Sequence, residues 1–208
     1  MGNREDLLAG AKRCLWEKGY ARTTVRDITA AAGGVSMAAI GYHFGSREAL
    51  LNAALIEGMD EWGAEVRGAL AESVDPAATP VERYTATWTA MVDSLAERRQ
   101  LWLASIEALL QAEHAPEVRA GLAHGQQEGR RGMAAWIRGV DESAINETDA
   151  RTLGSVQMAL LSGVMMQWLT DPAHAPTGHE VVAGLRELAD RLESQLGPEG
   201  GEWQAPPE

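Results

Sequence analysis

The stretch from Thr23 to Leu51, TTVRDITAAAGGVSMAAIGYHFGSREALL, decides the fold. Thr24 stands before the apolar positions Val25, Ile28 and Ala32, so its hydroxyl can cap a short helix, and Asp27 at N3 suits that helix's positive end. Gly33-Gly34 makes a turn. Ser36 caps a second short helix, Met37 to Phe44, and Ser46 caps a third that runs toward Leu70. Upstream, Arg4 to Lys18 forms a helix with Leu8, Ala11 and Leu15 on one face and Gly19 as its stop. Leu8, Leu15, Ile28, Val35, Ile40, Phe44 and Leu50 are placed to close a small core.

Outward from this segment the chain reads as helix throughout, with no strand. Asp75 to Pro80 is a linker. Helices follow at Val81 to Glu97, Arg99 to Glu113 and Glu117 to Arg138, with a break at His114-Ala-Pro116. Asp141 to Glu147 is a polar loop. Asp149 to Thr170 places Leu153, Val156, Leu160, Leu161, Val164, Met165 and Trp168 at helical spacing. A Pro-containing turn from Asp171 to Gly178 leads to a last helix with Val181, Val182, Leu185, Leu188, Leu192 and Leu196 on one side. The pattern predicts an all-α protein of about nine helices: a helix-turn-helix unit over 1–47, a helical unit over 48–196 and a disordered tail over 197–208, which holds Trp203.

Composition narrows the function. The formal net charge is -12, but residues 1–47 hold seven Lys/Arg and four Asp/Glu, while residues 48–208 hold eleven and twenty-six. A basic end on an acidic body fits docking of one face on phosphate. Two short helices across a glycine turn can present one helix end to a DNA major groove. Cys14 is the sole cysteine, which excludes an internal disulfide and a multi-cysteine metal site. The N-terminus is polar, and no apolar run reaches the ~18 residues of a membrane span. A cytoplasmic protein is expected. No nucleophile elbow, phosphate loop, dinucleotide fingerprint or zinc-protease motif is present, and the histidines lack metal-ligand spacing. Neither an enzyme nor a metal or cofactor is expected.

Residues 4–51 resemble the TetR family of bacterial regulators. The likeness rests on Leu15-x-x-x-Gly19, Thr24-Val25-Arg26-Asp27-Ile28, Ala31-Ala32-Gly33, Val35-Ser36 and Tyr42-His43-Phe44-Gly45-Ser46-Arg47-Glu48-Ala49-Leu50. Two departures stand out: a second glycine, Gly34, in the turn, and Gly41 where family members often carry an aromatic. The resemblance implies a homodimer on a near-palindromic, double-stranded DNA operator, most often a repressor, released by a small-molecule effector. It assigns DNA-backbone contacts to Thr24, Arg26, Tyr42, His43 and Arg47. Ser36, Met37, Ala38 and Ala39 are the exposed start of the recognition helix. These are small or apolar residues, suited to close approach and to thymine methyls.

The helical body adds two expectations. Seven tryptophans against one phenylalanine, accompanied by methionines, suit a cavity for apolar or aromatic effectors. Trp88, Trp102, Trp136 and Met133 are the first candidates for its lining. Leu160, Val164, Leu185, Leu188 and Leu192 are the candidate dimer seam, pairing two helices with their copies across a two-fold axis. The alternative function is a helical small-molecule-binding protein whose operator affinity is weakened. An all-helical enzyme is a third reading, and no residue set supports it.

Overall fold

The computed structural model describes residues 3–75, 77–113 and 115–196. Among them stand nine helices and no strand: α1 (Asn3–Lys18), α2 (Val25–Ala31), α3 (Met37–Phe44), α4 (Arg47–Ser73), α5 (Pro80–Glu97), α6 (Arg99–Ala112), α7 (Pro116–Arg138), α8 (147–170) and α9 (Gly178–Leu196). The break residue His114, the tail 197–208 with Trp203, and the side chain of Leu196 lie outside what is described.

The helix ends follow from local chemistry. Thr24 and Asp27 form a reciprocal capping box at α2, and Thr79 with Glu82 forms another at α5, where Pro80 takes the first turn. In each, two backbone N–H groups that the helix cannot satisfy find side-chain acceptors. The paired glycines have a specific task. The Gly33 N–H donates to the Ala30 carbonyl and the Gly34 N–H to the Thr29 carbonyl, at 3.2 and 2.9 Å. This is a Schellman closure of α2. Both glycines sit at φ near +80°, the left-handed region that a Cβ disfavours by ~1–2 kcal/mol. The extra glycine therefore completes the C-terminal cap before Val35 and leaves the Ser36 cap of α3 intact, its Oγ accepting from Ala38.

α1, α2 and α3 pack as a head whose core holds Leu7, Ala11, Cys14, Leu15, Tyr20, Ile28 and Ile40. Ala11 and Leu15 of the expected face of α1 are fully buried and Leu8 packs partly covered on the same core, while Leu7 and Cys14 widen that face. A Cβ at Gly10 would stand 2.9 Å from the Ala32 nitrogen and the Ile28 carbonyl oxygen, so α1 meets α2 backbone to backbone there. Leu50, Leu51 and Ala54 of α4 close the same core.

α4 continues into the body. Trp16 of α1 lies against Gly58, where a Cβ would come 2.7 Å from its ring. Lys12 donates to Glu57 and Glu61 at 2.8 and 2.5 Å. Burial opposes the Lys12 charge, but the hydrogen bonds it donates to both glutamates, with their negative charge, outweigh it and raise its pKa. The body core includes Trp62, Trp88, Met91, Leu95, Trp102, Val164, Met165, Val181 and Val182.

α8 departs from the simple periodic pattern. Residues Ala150–Gly154 form a π turn, which inserts one extra residue and shifts the phase of everything after it. Gly154 allows it: a Cβ there would overlap the Arg130 carbonyl of α7. Val156, expected inside, is consequently 57% exposed. Gln157 turns inward instead, and its amide donates to the Tyr84 hydroxyl.

Candidate nucleic-acid interface and effector core

α3 projects its N-terminal half and one flank to solvent. Met37 is 56% and Tyr42 86% exposed. Ser36, Ala38 and Gly41 are exposed, whereas Ala39 and His43 are half-buried and Ile40 is buried. Nothing lies within 4 Å of where a Gly41 Cβ would stand. Tyr42 and His43 meet edge to face with ring centroids 4.9 Å apart. Thr24 and Arg26 are exposed at the start of α2, on the far side of the turn.

Thr24 is engaged locally. Its Oγ1 accepts from the Asp27 N–H and donates to the Asp27 carboxylate. The Lys18 ammonium, then the Thr24 hydroxyl and amide, hold the Asp27 carboxyl well below the usual carboxylate range. The expected acid at N3 is thus an ionised anchor that ties α1 to the start of α2.

Arg47 is engaged within the chain. Expected to face a phosphate, its guanidinium instead turns back onto the α1–α2 loop. Its Nε donates to the Thr23 carbonyl at 2.5 Å and a terminal nitrogen to the Tyr20 carbonyl at 2.7 Å. The other terminal nitrogen pairs with Glu48 at 2.7 Å. Five donors in a rigid fork suit a site where several carbonyls converge. From the other side, Glu107 of α6 accepts the Ala21 N–H at 2.8 Å. Sequence spacing carries no signal of Glu107, which lies 86 residues from its partner. Arg4 was also missed: its guanidinium stands over the Phe44 ring, 5.1 Å from the centroid, and so brings a cation beside the end of α3.

In the body, two of the four expected lining residues, Trp102 and Trp136, sit in separate aromatic pairs. Trp102 is buried edge to face against Trp62, with centroids 4.8 Å apart. Trp136 stacks on Tyr84 at 5.4 Å. Trp88 is buried, and Met133 is half-buried against the same core. Trp62 donates its indole N–H to Ser94 at 2.8 Å. The indole N–H groups of Trp88 and Trp102 are buried with no hydrogen-bond partner, as is the Asn52 carbonyl oxygen. Such groups cost ~1–3 kcal/mol each if left unmet. Among the described residues no charged side chain is buried.

The candidate seam residues divide between covered and exposed. Val164 is buried in the chain's own core, and Leu160 and Leu185 pack on it partly covered. The inward line of α8 is Gln157, Leu161, Val164 and Trp168. The outward line is Val156, Ala159, Gly163 and Met166, a period the π turn displaced. On α9, Leu188 and Leu192 are 54% and 51% exposed. Every described side chain from Arg186 to Ser194 is exposed.

A solvent-facing helix behind a capped glycine turn, on a basic three-helix head joined to a helical body, defines a helix-turn-helix regulator. The family description "Bacterial regulatory proteins, tetR family" matches residues 7–54, and "Tetracyclin repressor-like, C-terminal domain" matches residues 79–192. The chain belongs to the TetR family of DNA-binding transcriptional regulators, which are not enzymes.

Solved structures share the fold. A transcriptional regulator from Rhodococcus sp. Rha1 is 19% identical with a TM-score of 0.63, the match covering 91% of this chain and 97% of that one. A TetR transcription regulator from Haloarcula marismortui is 20% identical with a TM-score of 0.59, covering 93% and 97%. The multidrug binding protein EbrR, complexed with imidazole, is 24% identical with a TM-score of 0.63, covering 89% and 88%. No curated protein matches the chain. Among the described residues, no helix is long and apolar enough to cross a membrane.

Proposed function

We propose that the protein is a homodimeric, ligand-responsive repressor that binds a near-palindromic operator and is released by a small apolar or aromatic effector. The observation that carries this reading is the exposed flank of α3, with Met37 and Tyr42 turned to solvent on the basic head. Ser36, Met37, Ala38 and Ala39 enter the major groove. Thr24, Arg26, Tyr42 and His43 meet phosphates, and Arg4 replaces Arg47 as a backbone cation.

The second copy covers the outward line of α8 together with Leu188 and Leu192. Half a helix exposed on every side, yet carrying two leucines, is what an isologous four-helix contact would bury. The effector occupies the core around Trp88 and Trp102, whose unmet N–H groups are donors for it, with Trp136 and Met133 nearby on α7. The likeness to EbrR, described as a multidrug binding protein, supports a ligand in this half. Occupancy there favours a spacing of the two α3 helices that no longer fits the operator.

Gel-shift titration against the DNA upstream of its own gene tests this. Retardation that weakens steeply with salt is expected, and Leu188→Glu should abolish it while yielding a monomer in sedimentation. The withdrawal of Arg47 and the bare Gly41 favour one competing reading, a small-molecule-binding protein with weak operator affinity. Absence of any retardation at low salt, with effector binding intact, would select it.

A further inference from the structure

We propose that α3 reads the C5 methyl groups of pyrimidines, so that its operator accepts 5-methylcytosine in place of thymine at contacted positions. The inference rests on the operator reading above and concerns how that operator is recognised.

The exposed surface of α3 is chemically poor. It consists of Met37, Ala38, Gly41 and Tyr42. The Ser36 oxygen accepts the Ala38 N–H at 3.3 Å. Arg47, the basic residue next in sequence, is folded back onto the Tyr20 and Thr23 carbonyls. No guanidinium, ammonium, carboxamide or carboxylate belongs to this helix, and its one imidazole, His43, is half-buried at the far end against Tyr42. Those are the groups that distinguish guanine, adenine and cytosine by hydrogen bonding in the major groove.

What remains is apolar contact and closeness. Met37 offers a long, flexible thioether. Ala38 and Gly41 lie three residues apart on one face, and the open space at Gly41 lets the backbone come nearer to the base edges than a larger residue would allow. The pyrimidine feature that rewards such contact is a methyl on C5. Thymine carries it and cytosine does not; 5-methylcytosine carries it on the same ring atom. Uracil keeps the hydrogen-bonding pattern of thymine and lacks the methyl. Tyr42, at the far end of the helix, keeps its hydroxyl for the backbone.

The two modes of reading separate cleanly. Readout by hydrogen bonds treats thymine and uracil alike, because both present an O4 acceptor. Readout by methyl groups treats thymine and 5-methylcytosine alike, although one presents an acceptor and the other an N4 donor.

The test uses the full-length protein and duplexes enriched from a random library. At each pyrimidine of the enriched half-site, four duplexes carry thymine, uracil, cytosine or 5-methylcytosine. At the contacted positions, removing a thymine methyl should weaken binding about fourfold, the worth of one buried methyl-sized group. Placing 5-methylcytosine should restore affinity to within about twofold of thymine. Met37→Ala should shrink the thymine-to-uracil ratio and leave the salt dependence unchanged. Uracil binding as tightly as thymine at every position overturns the proposal while the operator reading stands. Failure of the library to enrich any sequence overturns both.

Discussion

The two turns that flank α2 are held in opposite ways. The α1–α2 turn, Gly19 to Thr23, is gripped from outside the head. Arg47 of α4 takes its Tyr20 and Thr23 carbonyls, and Glu107 of α6 takes its Ala21 amide. The α2–α3 turn is closed chiefly by its own backbone, through Gly33 and Gly34, with Arg13 of α1 donating to the Ala31 carbonyl just before it, and no atom lies within 4 Å of the position a Cβ would take on either glycine. The difference teaches how one small unit serves two masters. The gripped turn ties the head to α6 of the body. The glycine turn leaves the tip of α3 clear of its own protein. The charged clamp lies on the side that faces the body, and the bare surface faces solvent.

The strongest way to break this contrast is Arg47→Ala. It removes three well-made charge-assisted hydrogen bonds and should lower stability by about 2–3 kcal/mol, read as a shift of the urea midpoint. Unchanged stability with a selective loss of DNA affinity would mean that Arg47 serves a phosphate after all. Gly34→Val addresses the other turn. At φ +84° it should cost about 1–2 kcal/mol by strain, and Gly34→Asn should cost less, since asparagine tolerates this region. Equal losses for both would mean that strain is not the reason for the second glycine.

Glu107→Ala should cost less, about 1 kcal/mol, because its carboxylate is half exposed. Faster hydrogen exchange at the Ala21 amide, with the Gly34 amide unaffected, would localise the effect to the gripped turn. Uniform change across the head would deny the separation.

The smallest effect concerns acid. The carboxyl of Asp27 is held below its usual range in the folded chain. A depressed folded-state value contributes stability that is present above the unfolded value of about 4 and is lost as pH falls below it. Asp27→Asn should therefore lower stability near neutrality and flatten the profile below about pH 4, where the parent protein loses the same contribution. An unaltered acid limb would show that Lys18 and Thr24 do not hold the carboxylate.

Much of the head was legible because its signals are local. Thr24 with Asp27, Ser36, Ser46 and the paired glycines each act within four residues, so spacing alone reveals them. The inward face of α1 was legible at Ala11 and Leu15; its extension to Leu7 and Gly10 was not, because the approach of Gly10 to α2 is a fact of packing and not of pattern. In the body, periodicity placed the helices and, on α8, every expected inward residue except Val156. The π turn at Ala150–Gly154 moved Val156 outward and Gln157 inward, and its cause is contact between Gly154 and the Arg130 carbonyl. Trp88 and Trp102 were legible as candidates; that their N–H groups lack partners was not, because satisfaction depends on neighbours far along the chain.

From the residues alone came the all-helical class, the helix-turn-helix with its caps, the basic end on an acidic body and the small or apolar start of α3 from Ser36 to Ala39. Each of these is set by chemistry within a turn or two of backbone. Tertiary structure decided where the charges point and which apolar stripe remains uncovered. Arg47 turned inward because three carbonyls converge there, and Val164 was claimed by its own core while Leu188 and Leu192 were left outside. Orientation across 24 to 86 residues of chain depends on packing, and no local pattern encodes it.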